Sequence, residues 1–94
     1  MTPLSDAEIE RRLATVGDWA RHEHDSIVRE LKFDDFAAAI AFVNRVADLA
    51  ERANHHPDIL VHGWNGVRLT LSTHSEGGLT AADFELAARI DELA

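Results

Sequence analysis

The amino-acid sequence predicts an α+β fold in which helices alternate with antiparallel hairpins. Apolar residues recur at helical spacing within residues 5–17, 35–53 and 80–93. Apolar and polar residues instead alternate with a period of two within residues 19–33 and 59–73, and each of these segments contains a turn signal. The predicted order is therefore helix, two strands, helix, two strands, helix. A chain of 94 residues suits one domain, residues 1–94.

The composition argues against several classes of protein. The chain has no cysteine, which excludes disulfides and thiolate chemistry and disfavours a structural zinc site. Its net charge of −8 argues against a nucleic-acid partner, because proteins that bind nucleic acid cluster Lys and Arg. The amino terminus lacks the pattern of a signal peptide, and no stretch approaches the roughly 20 apolar residues of a membrane span. We expect a cytoplasmic protein that binds neither nucleic acid nor membrane.

The first helix has a complete start signal. Ser5 and Glu8 have the spacing of a capping box, and Leu4 and Ile9 occupy the hydrophobic staple positions around it. Ile9 also begins an apolar stripe at spacings of four and three residues. Gly17 is predicted to end the helix in a left-handed conformation.

The first hairpin follows. A short strand, residues 19–23, is predicted to pair with a longer strand that ends at Phe33, with Asp25 and Ser26 in the turn. His22 and His24 lie around this turn, where we interpret them as exposed and without a chemical role.

The longest helix is predicted to begin at a cap formed by Asp34 or Asp35 and to end near Ala53. Its apolar face is wide and rich in alanine, so a sheet or a second copy of the helix could approach it closely. Glu51 lies at the margin of that face. Taken alone, Glu51 would be a solvated carboxylate. Two histidines one turn later make it a candidate site residue.

The helix ends in the polar run Asn54-His55-His56-Pro57-Asp58. Pro57 cannot continue a helix and restricts His56 to extended conformations, so both imidazoles lie at a helix-to-strand junction. Binding and catalytic residues concentrate in such connections. We therefore interpret this run as the centre of the candidate site.

The second hairpin is predicted around Asn65 and Gly66, a pair that favours a type I′ turn. In this register Trp64 pairs with Val67. His62 lies within the first of the two strands, at a depth that the pattern leaves open.

The same register, carried along both strands, places Pro57 opposite His74. His55, His56 and His74 are therefore predicted to converge at one end of the hairpin. Neighbouring side chains diverge in an extended segment, so only one of the adjacent histidines would easily join His74 on a metal ion.

Residues 75–79 are predicted to form a flexible loop before the last helix. Thr80 and Asp83 form a capping pair at the start of that helix, which gives Asp83 a structural explanation. Gly77 and Gly78 could cradle a phosphate. However, no Lys follows them and no glycine pattern precedes them, so a nucleotide-binding loop is poorly supported.

Several motifs occur together in the second half of the chain. They are Asn54-His55-His56-Pro57-Asp58, Trp64-Asn65, Leu69-Thr70-Leu71-Ser72-Thr73-His74, Gly77-Gly78-Leu79-Thr80, and Asp83 with Glu85, Leu86 and Ala87. With these motifs and its element order, the chain resembles the pterin-4a-carbinolamine dehydratase family over nearly its whole length. The resemblance implies a four-stranded antiparallel sheet with three helices packed on one face. It also implies catalytic roles for His55, His56 and His74, a pterin-binding role for Glu51, and a position near the site for Asp83.

The chain differs from the animal members of that family close to these histidines. Asn54 stands where those proteins carry an acidic residue, and Ile59 stands where they carry tryptophan. The segment from His56 to His74 is also one residue longer. The substrate-binding candidates are Glu51, Asn54, Pro57 and Asp83.

The activity implied by the resemblance is dehydration of 4a-hydroxytetrahydrobiopterin to quinonoid dihydropterin and water, a step in tetrahydrobiopterin recycling. The reaction needs a proton donor for the leaving hydroxyl and an acceptor for the proton on N5. Histidine suits both tasks near neutral pH, because its ordinary pKa is about 6.5. We expect neither a cofactor nor a metal ion.

Two other functions remain open. The fold could serve as a non-catalytic interaction module, as suggested by the second role of the animal relatives as a dimerisation cofactor for a transcription factor. The histidines could instead bind a metal ion. We expect a homodimer or homotetramer, because the sheet has two unpaired edges and the chain is small. The resemblance also suggests a functional link to an aromatic amino-acid hydroxylase.

Overall fold

The computed structural model describes residues 2–94 and contains the elements in the predicted order. They are α1 (Asp6–Leu13), β1 (Ala20–His22), β2 (Ser26–Lys32), α2 (Phe36–Ala53), β3 (Asp58–His62), β4 (Gly66–Leu71), a 3₁₀ turn at His74–Glu76, and α3 (Ala81–Leu93). The α+β prediction is confirmed.

The four strands form one antiparallel sheet in the order β1-β2-β4-β3. The two central strands, β2 and β4, pair from Ile27 with Leu71 to Lys32 with Gly66. The three helices cover one face of the sheet, and the side chains of Ile27, Leu69 and Leu71 on that face are completely buried. This is the arrangement of sheet and helices that the family resemblance implied.

The start of α1 follows the sequence prediction, but its end does not. The backbone N–H of Glu8 donates to Ser5 Oγ at 3.2 Å, as the capping box requires. The helix ends at Leu13, four residues before Gly17, and its C-cap, Ala14, is right-handed. Gly17 is therefore not a left-handed stop. Its N–H donates to Asp91 Oδ2 at 2.7 Å, so its position is set by a contact with the end of α3.

Helix α2 has well-defined ends. Asp35, not Asp34, is the N-cap, and its Oδ1 accepts from the N–H of Ala38 at 2.7 Å. The helix ends at Ala53, as predicted, and Asn54 follows in the left-handed conformation with φ of 51°. Asparagine tolerates this conformation better than most residues. The sequence at residue 54 therefore suits a sharp helix end.

The first hairpin agrees with the sequence prediction in its main features. His22 pairs with Ser26 across a three-residue turn, and Ser26 Oγ donates to the carbonyl of His22 at 2.7 Å. Ser26 thus begins β2 and is not in the turn itself. His22 and His24 are exposed, as predicted.

The predicted register of the second hairpin is wrong by three residues. Val61 pairs with Val67 and His62 with Gly66, so Trp64 does not face Val67. The residues with positive φ are Gly63 and Trp64, at 56° and 59°, and not the predicted Asn-Gly pair.

Contacts with the central strand explain this register. Asn65 Nδ2 donates to the carbonyl of Phe33, and the N–H of Phe33 donates to the carbonyl of Asn65 at 2.9 Å. These two bonds hold Asn65 beside the end of β2. A Cβ atom on Gly66 would lie 2.8 Å from Cε1 of His62, so glycine leaves the space that the imidazole occupies. Tertiary contacts therefore override the local turn preference.

No helix within residues 2–94 is both long and apolar enough to cross a membrane.

Candidate functional site

The junction between α2 and β3 holds His55 in a defined position. The N–H of His55 donates to the carbonyl of Ala50 at 3.0 Å, and the N–H of Asn54 donates to that of Glu51 at 3.2 Å. These two bonds, with Asn54 left-handed between them, make up a Schellman motif. The backbone of His55 is thereby anchored to the last turn of the helix.

The side chain of His55 is anchored by a buried carboxylate. His55 Nε2 lies 2.5 Å from Oδ1 of Asp83, which is completely buried, while the imidazole keeps 15 % of its surface exposed. An ionised carboxylate only accepts hydrogen bonds, so Nε2 carries the proton of this contact. The contact fixes the tautomer and the plane of the ring and leaves Nδ1 for another partner.

Asp83 also joins the loop after β4 to the start of α3. Its Oδ2 accepts from Thr73 Oγ1 at 2.7 Å and from the backbone N–H of Thr80 at 2.9 Å. The bond from Thr80 confirms the capping pair that the sequence predicted. Because Thr73 directly precedes His74, the same carboxylate brings the segment with the third candidate histidine to His55.

His74 reaches this region by a route that the sequence did not predict. Strand β4 ends at Leu71, and Asp58 pairs with Thr70, so Pro57 does not lie opposite His74. His74 instead begins the 3₁₀ turn, is exposed, and makes no side-chain hydrogen bond within residues 2–94.

The predicted flexible loop, residues 75–79, is partly organised by backbone bonds. The N–H groups of Glu76 and Gly78 donate to the carbonyl of Thr73 at 3.0 and 3.4 Å. Gly77 follows the turn with φ of 77°, a left-handed conformation that favours glycine. The turn that carries His74 is therefore closed on Thr73.

Glu51 and His56 form a second pair at the same junction. Glu51 Oε2 lies 2.5 Å from His56 Nε2, and both side chains are exposed, at 75 % and 59 %. Such exposed pairs add little to stability. The contact does bring two candidate site residues together. It engages only Oε2 of Glu51, so the other carboxylate oxygen can accept a further hydrogen bond.

Asn54 and Pro57 flank the histidines without making side-chain hydrogen bonds within the described chain. Asn54 is exposed, and its left-handed backbone already accounts for its presence. Pro57 is half-buried between His56 and the first residue of β3.

A pocket of about 200 Å³ opens beside His55, between the end of α2 and helix α3. It is lined by Arg52, Ala53, His55, Ala82, Glu85, Leu86 and Arg89. The sequence did not lead us to assign a site role to Thr73 or to the pocket residues other than His55. Thr73 directly precedes His74 in its motif, which was a usable signal. No signal in the sequence indicated that Arg52 and Arg89 line the same pocket, because this depends on how α2 packs on α3.

Away from this region, the pKa of one carboxyl group, that of Glu30, differs from its ordinary value. The hydrogen bond from Arg68 lowers the pKa of Glu30 below its ordinary value. Burial of the carboxylate opposes this change, and the hydrogen bond with His62 lowers the pKa further by a lesser amount. His62, whose depth the sequence left open, is exposed and lies 3.1 Å from Glu30. This cluster lies on the face of the sheet that the helices do not cover.

Within residues 2–94, no group of three or more His, Asp or Glu side chains is arranged to hold a metal ion.

Comparisons with known proteins give a consistent result. The model of a protein family described as "Pterin 4 alpha carbinolamine dehydratase" matches residues 2–93. A protein of Chloroflexus aggregans, provisionally named pterin-4-alpha-carbinolamine dehydratase, is 53 % identical over 93 residues, which cover 99 % of this chain and 98 % of that protein.

Two solved structures are similar as well. A transcriptional coactivator/pterin dehydratase from Brucella melitensis superposes with a TM-score of 0.93 at 33 % identity, covering 99 % of both chains. A pterin dehydratase-like protein, identified as a RuBisCO assembly factor in the alpha-carboxysome, superposes with a TM-score of 0.69 at 29 % identity. That superposition covers 83 % of this chain and 90 % of the other.

Proposed function

The chain belongs to the pterin 4 alpha carbinolamine dehydratase family, and we propose that it dehydrates a 4a-hydroxytetrahydropterin by histidine acid–base catalysis. The observation that carries the proposal is the contact of His55 with the buried carboxylate of Asp83 at 2.5 Å. A buried carboxylate that orients a partly exposed imidazole is a common arrangement for proton transfer. His56 directly follows His55 in the chain. His74 directly follows Thr73, whose hydroxyl donates to Asp83.

The reaction requires two proton movements. The bond from C4a to the hydroxyl oxygen breaks, and that oxygen takes up a proton and leaves as water. N5 loses its proton, and its electron pair forms the double bond to C4a, which gives the quinonoid dihydropterin. One imidazole donates and another accepts. For His55 the exchanging atom is Nδ1, because Nε2 is held by Asp83.

Glu51 and His56 are assigned to binding. The amino and N–H groups on the pyrimidine edge of a pterin are adjacent donors, for which a carboxylate is the matching acceptor. The contact with His56 leaves one oxygen of Glu51 available for this purpose. Asn54 and Pro57 are assigned to the wall of the same site, and Asp83 acts through His55.

The test is stopped-flow absorbance of chemically generated 4a-hydroxytetrahydrobiopterin. We expect His55→Ala and His74→Ala each to lower the catalysed rate by about 10²–10⁴-fold, the usual contribution of a positioned acid or base. His24→Ala is the matched control, because His24 is an exposed imidazole outside the junction. Full activity in both site variants, or equal loss in the control, would refute the proposal.

The biological setting that we propose is tetrahydrobiopterin recycling in the cytoplasm. There, an aromatic amino-acid hydroxylase would supply the carbinolamine. We also propose a homodimer or homotetramer, because the outer strands β1 and β3 leave backbone groups unpaired. Sedimentation of a monomer at micromolar concentration would contradict the oligomer.

A second candidate function is that of a protein-interaction module. Leu60, in the edge strand β3, and Trp64, in the turn that follows it, are large apolar residues that are 50 % and 62 % exposed. Exposed apolar surface can mark a site of protein interaction. One structural neighbour is described as a transcriptional coactivator/pterin dehydratase and another as an assembly factor. An absence of dehydration by the wild-type protein would favour this function.

A further inference from the structure

The pocket beside His55 has an unusual distribution of charge. Arg52, in the last turn of α2, and Arg89, in α3, both line it. Neither guanidinium forms an ion pair with an acidic group within residues 2–94, although the chain has 17 acidic and only 9 basic residues. Two arginines without acidic partners in one pocket are unexpected in a chain with a net charge of −8.

Most of the basic residues are already paired. Five of the nine contact an acidic side chain, and these are Arg11, Arg12, Arg21, Arg29 and Arg68. Within residues 2–94, the four basic residues without such a contact are Lys32, Arg45, Arg52 and Arg89. Half of the unpaired cations therefore line a single pocket.

Glu85 makes the lack of pairing more specific. It also lines the pocket and lies four residues before Arg89, the spacing at which a glutamate and a basic residue usually pair on a helix. No such ion pair forms in the structure. The donors of Arg89 and Arg52 are therefore left for a group that enters the pocket. With His55 neutral, two arginines and one glutamate give the pocket a net charge of +1.

We propose that Arg52 and Arg89 form an anion subsite that binds a carboxylate or phosphate on the C6 substituent of the pterin substrate. This inference rests on the proposed function. Guanidinium groups recognise carboxylate and phosphate oxygens through paired N–H donors. A tetrahydropterin with a negatively charged side chain should therefore bind more tightly than tetrahydrobiopterin, although both present the same ring to the histidines.

The size and position of the pocket suit the C6 substituent of a pterin and not the whole molecule. Its volume of about 200 Å³ is below the roughly 300–1,000 Å³ of pockets that enclose whole ligands. Glu51, His56 and His74, which are assigned to the ring, do not line it. His55 is the residue that the two regions share. A pterin bound at the histidines would therefore extend its substituent between the two helices.

The test compares two stable fluorescent probes, 6-carboxypterin and 6-hydroxymethylpterin, which share a ring and differ in the charge at C6. For the wild-type protein at low salt, we expect 6-carboxypterin to bind about tenfold more tightly, because two guanidinium groups would act together on its carboxylate. The preference should decrease with added NaCl. Arg52→Gln and Arg89→Gln should each reduce it, and the double variant should abolish it.

Arg45→Gln is the matched control. Arg45 is an exposed arginine of α2 without an acidic partner, and it does not line the pocket, so the preference should remain. Glu85→Gln should increase the preference about twofold by removing the opposing charge. Equal affinity for the two probes in the wild type, no binding of 6-carboxypterin, or a preference that survives the double variant would overturn the subsite.

Dehydration of 4a-hydroxytetrahydrobiopterin, whose side chain is uncharged, separates this inference from the proposed function. Turnover of that substrate with equal probe affinities would refute the subsite and retain the dehydratase. A clear charge preference without turnover would support the subsite and refute the catalytic proposal.

Discussion

Asp83 and Asp91, about two turns apart on helix α3, each accept three hydrogen bonds, including one from a backbone N–H. Asp83 accepts hydrogen bonds from His55 Nε2, Thr73 Oγ1 and the N–H of Thr80. Asp91 accepts hydrogen bonds from Arg29 Nη1, Trp19 Nε1 and the N–H of Gly17. Each carboxylate thus joins α3 to two other parts of the chain.

The difference lies in the cation or potential cation that each carboxylate holds. A guanidinium group does not release its proton in proteins, so the Asp91 cluster can bind but cannot exchange protons. A neutral imidazole has one nitrogen that donates and one that accepts a proton, and the imidazole of His55 borders a pocket. The Asp91 cluster therefore fastens the segment between α1 and β1 to the sheet. The Asp83 cluster is suited to proton transfer through His55. We infer that the partner of each anchored carboxylate indicates its role.

The largest effect that would test this comparison is on stability at Asp91. Asp91→Ala should lower the free energy of unfolding by about 3 kcal/mol, because it leaves the partly buried Arg29 and Trp19 Nε1 without their acceptor. Arg29 Nε already lacks a partner within residues 2–94. The folded variant should retain its dehydration rate. Urea unfolding followed by Trp fluorescence measures the first effect, and stopped flow measures the second.

Glu92→Ala is the control for that experiment, since Glu92 is exposed on the same helix and makes no ion pair within the described chain. If Asp91→Ala lowers the rate of the folded protein by more than its control, the two carboxylates do not differ in role as we infer.

The complementary change at Asp83 should mainly affect the rate. Asp83→Asn keeps the size of the side chain but replaces an acceptor oxygen with an N–H₂ donor, so His55 loses the partner that fixes its tautomer. We expect the dehydration rate to fall about 10²-fold and the free energy of unfolding to fall by about 1–2 kcal/mol.

Nitrogen NMR of the His55 ring provides a readout that a merely structural role would not change. In the wild type the proton should reside on Nε2, and in Asp83→Asn a substantial fraction should move to Nδ1. An unchanged tautomer together with an unchanged rate would mean that Asp83, like Asp91, only fastens the fold.

A smaller effect is expected at Glu51, which lies at the same junction but is exposed. Glu51→Gln should raise KM by a factor corresponding to about 1–3 kcal/mol, because the pterin ring loses a charged acceptor, and it should change kcat less than His74→Ala does. Steady-state kinetics separate the two parameters. An unchanged KM with loss of kcat would make Glu51 a proton carrier.

The smallest effect concerns Glu30, whose carboxylate is paired on the open face of the sheet. Its folded-state pKa lies below the ordinary value of 4.5, so the pairing stabilises the protein above about pH 4.5 and is lost as the pH falls through the folded-state pKa. Glu30→Gln should therefore be slightly less stable than wild type at pH 7, and the difference should shrink below pH 4.5.

Because Glu30 is nearly half exposed, solvent screening keeps this contribution small. Urea unfolding at several pH values measures it, with Glu10→Gln as the exposed, unpaired control. A difference that grows on acidification would contradict the direction of the shift.

The sequence by itself determined the parts of this protein that depend on neighbouring residues. Ser5, Asp35 and the Thr80–Asp83 pair cap their helices through bonds to residues three positions away, and the end of α2 follows from the run after Ala53. Such bonds are made within one turn, so few competing partners exist. His55 and His56 were identified in the same way, from a polar run at a predictable helix end.

Only the tertiary structure decided which distant residues meet. The hairpin register was set by Asn65 bonding to Phe33 and by the imidazole of His62 over Gly66, and not by the turn preference of Asn65 and Gly66 alone. The contact of Asp83 with His55 and the meeting of Arg52 with Arg89 depend on how α3 packs against α2. In each case a residue had many possible partners. The free energy of packing the whole core selected one of them, and that selection leaves no local pattern in the sequence.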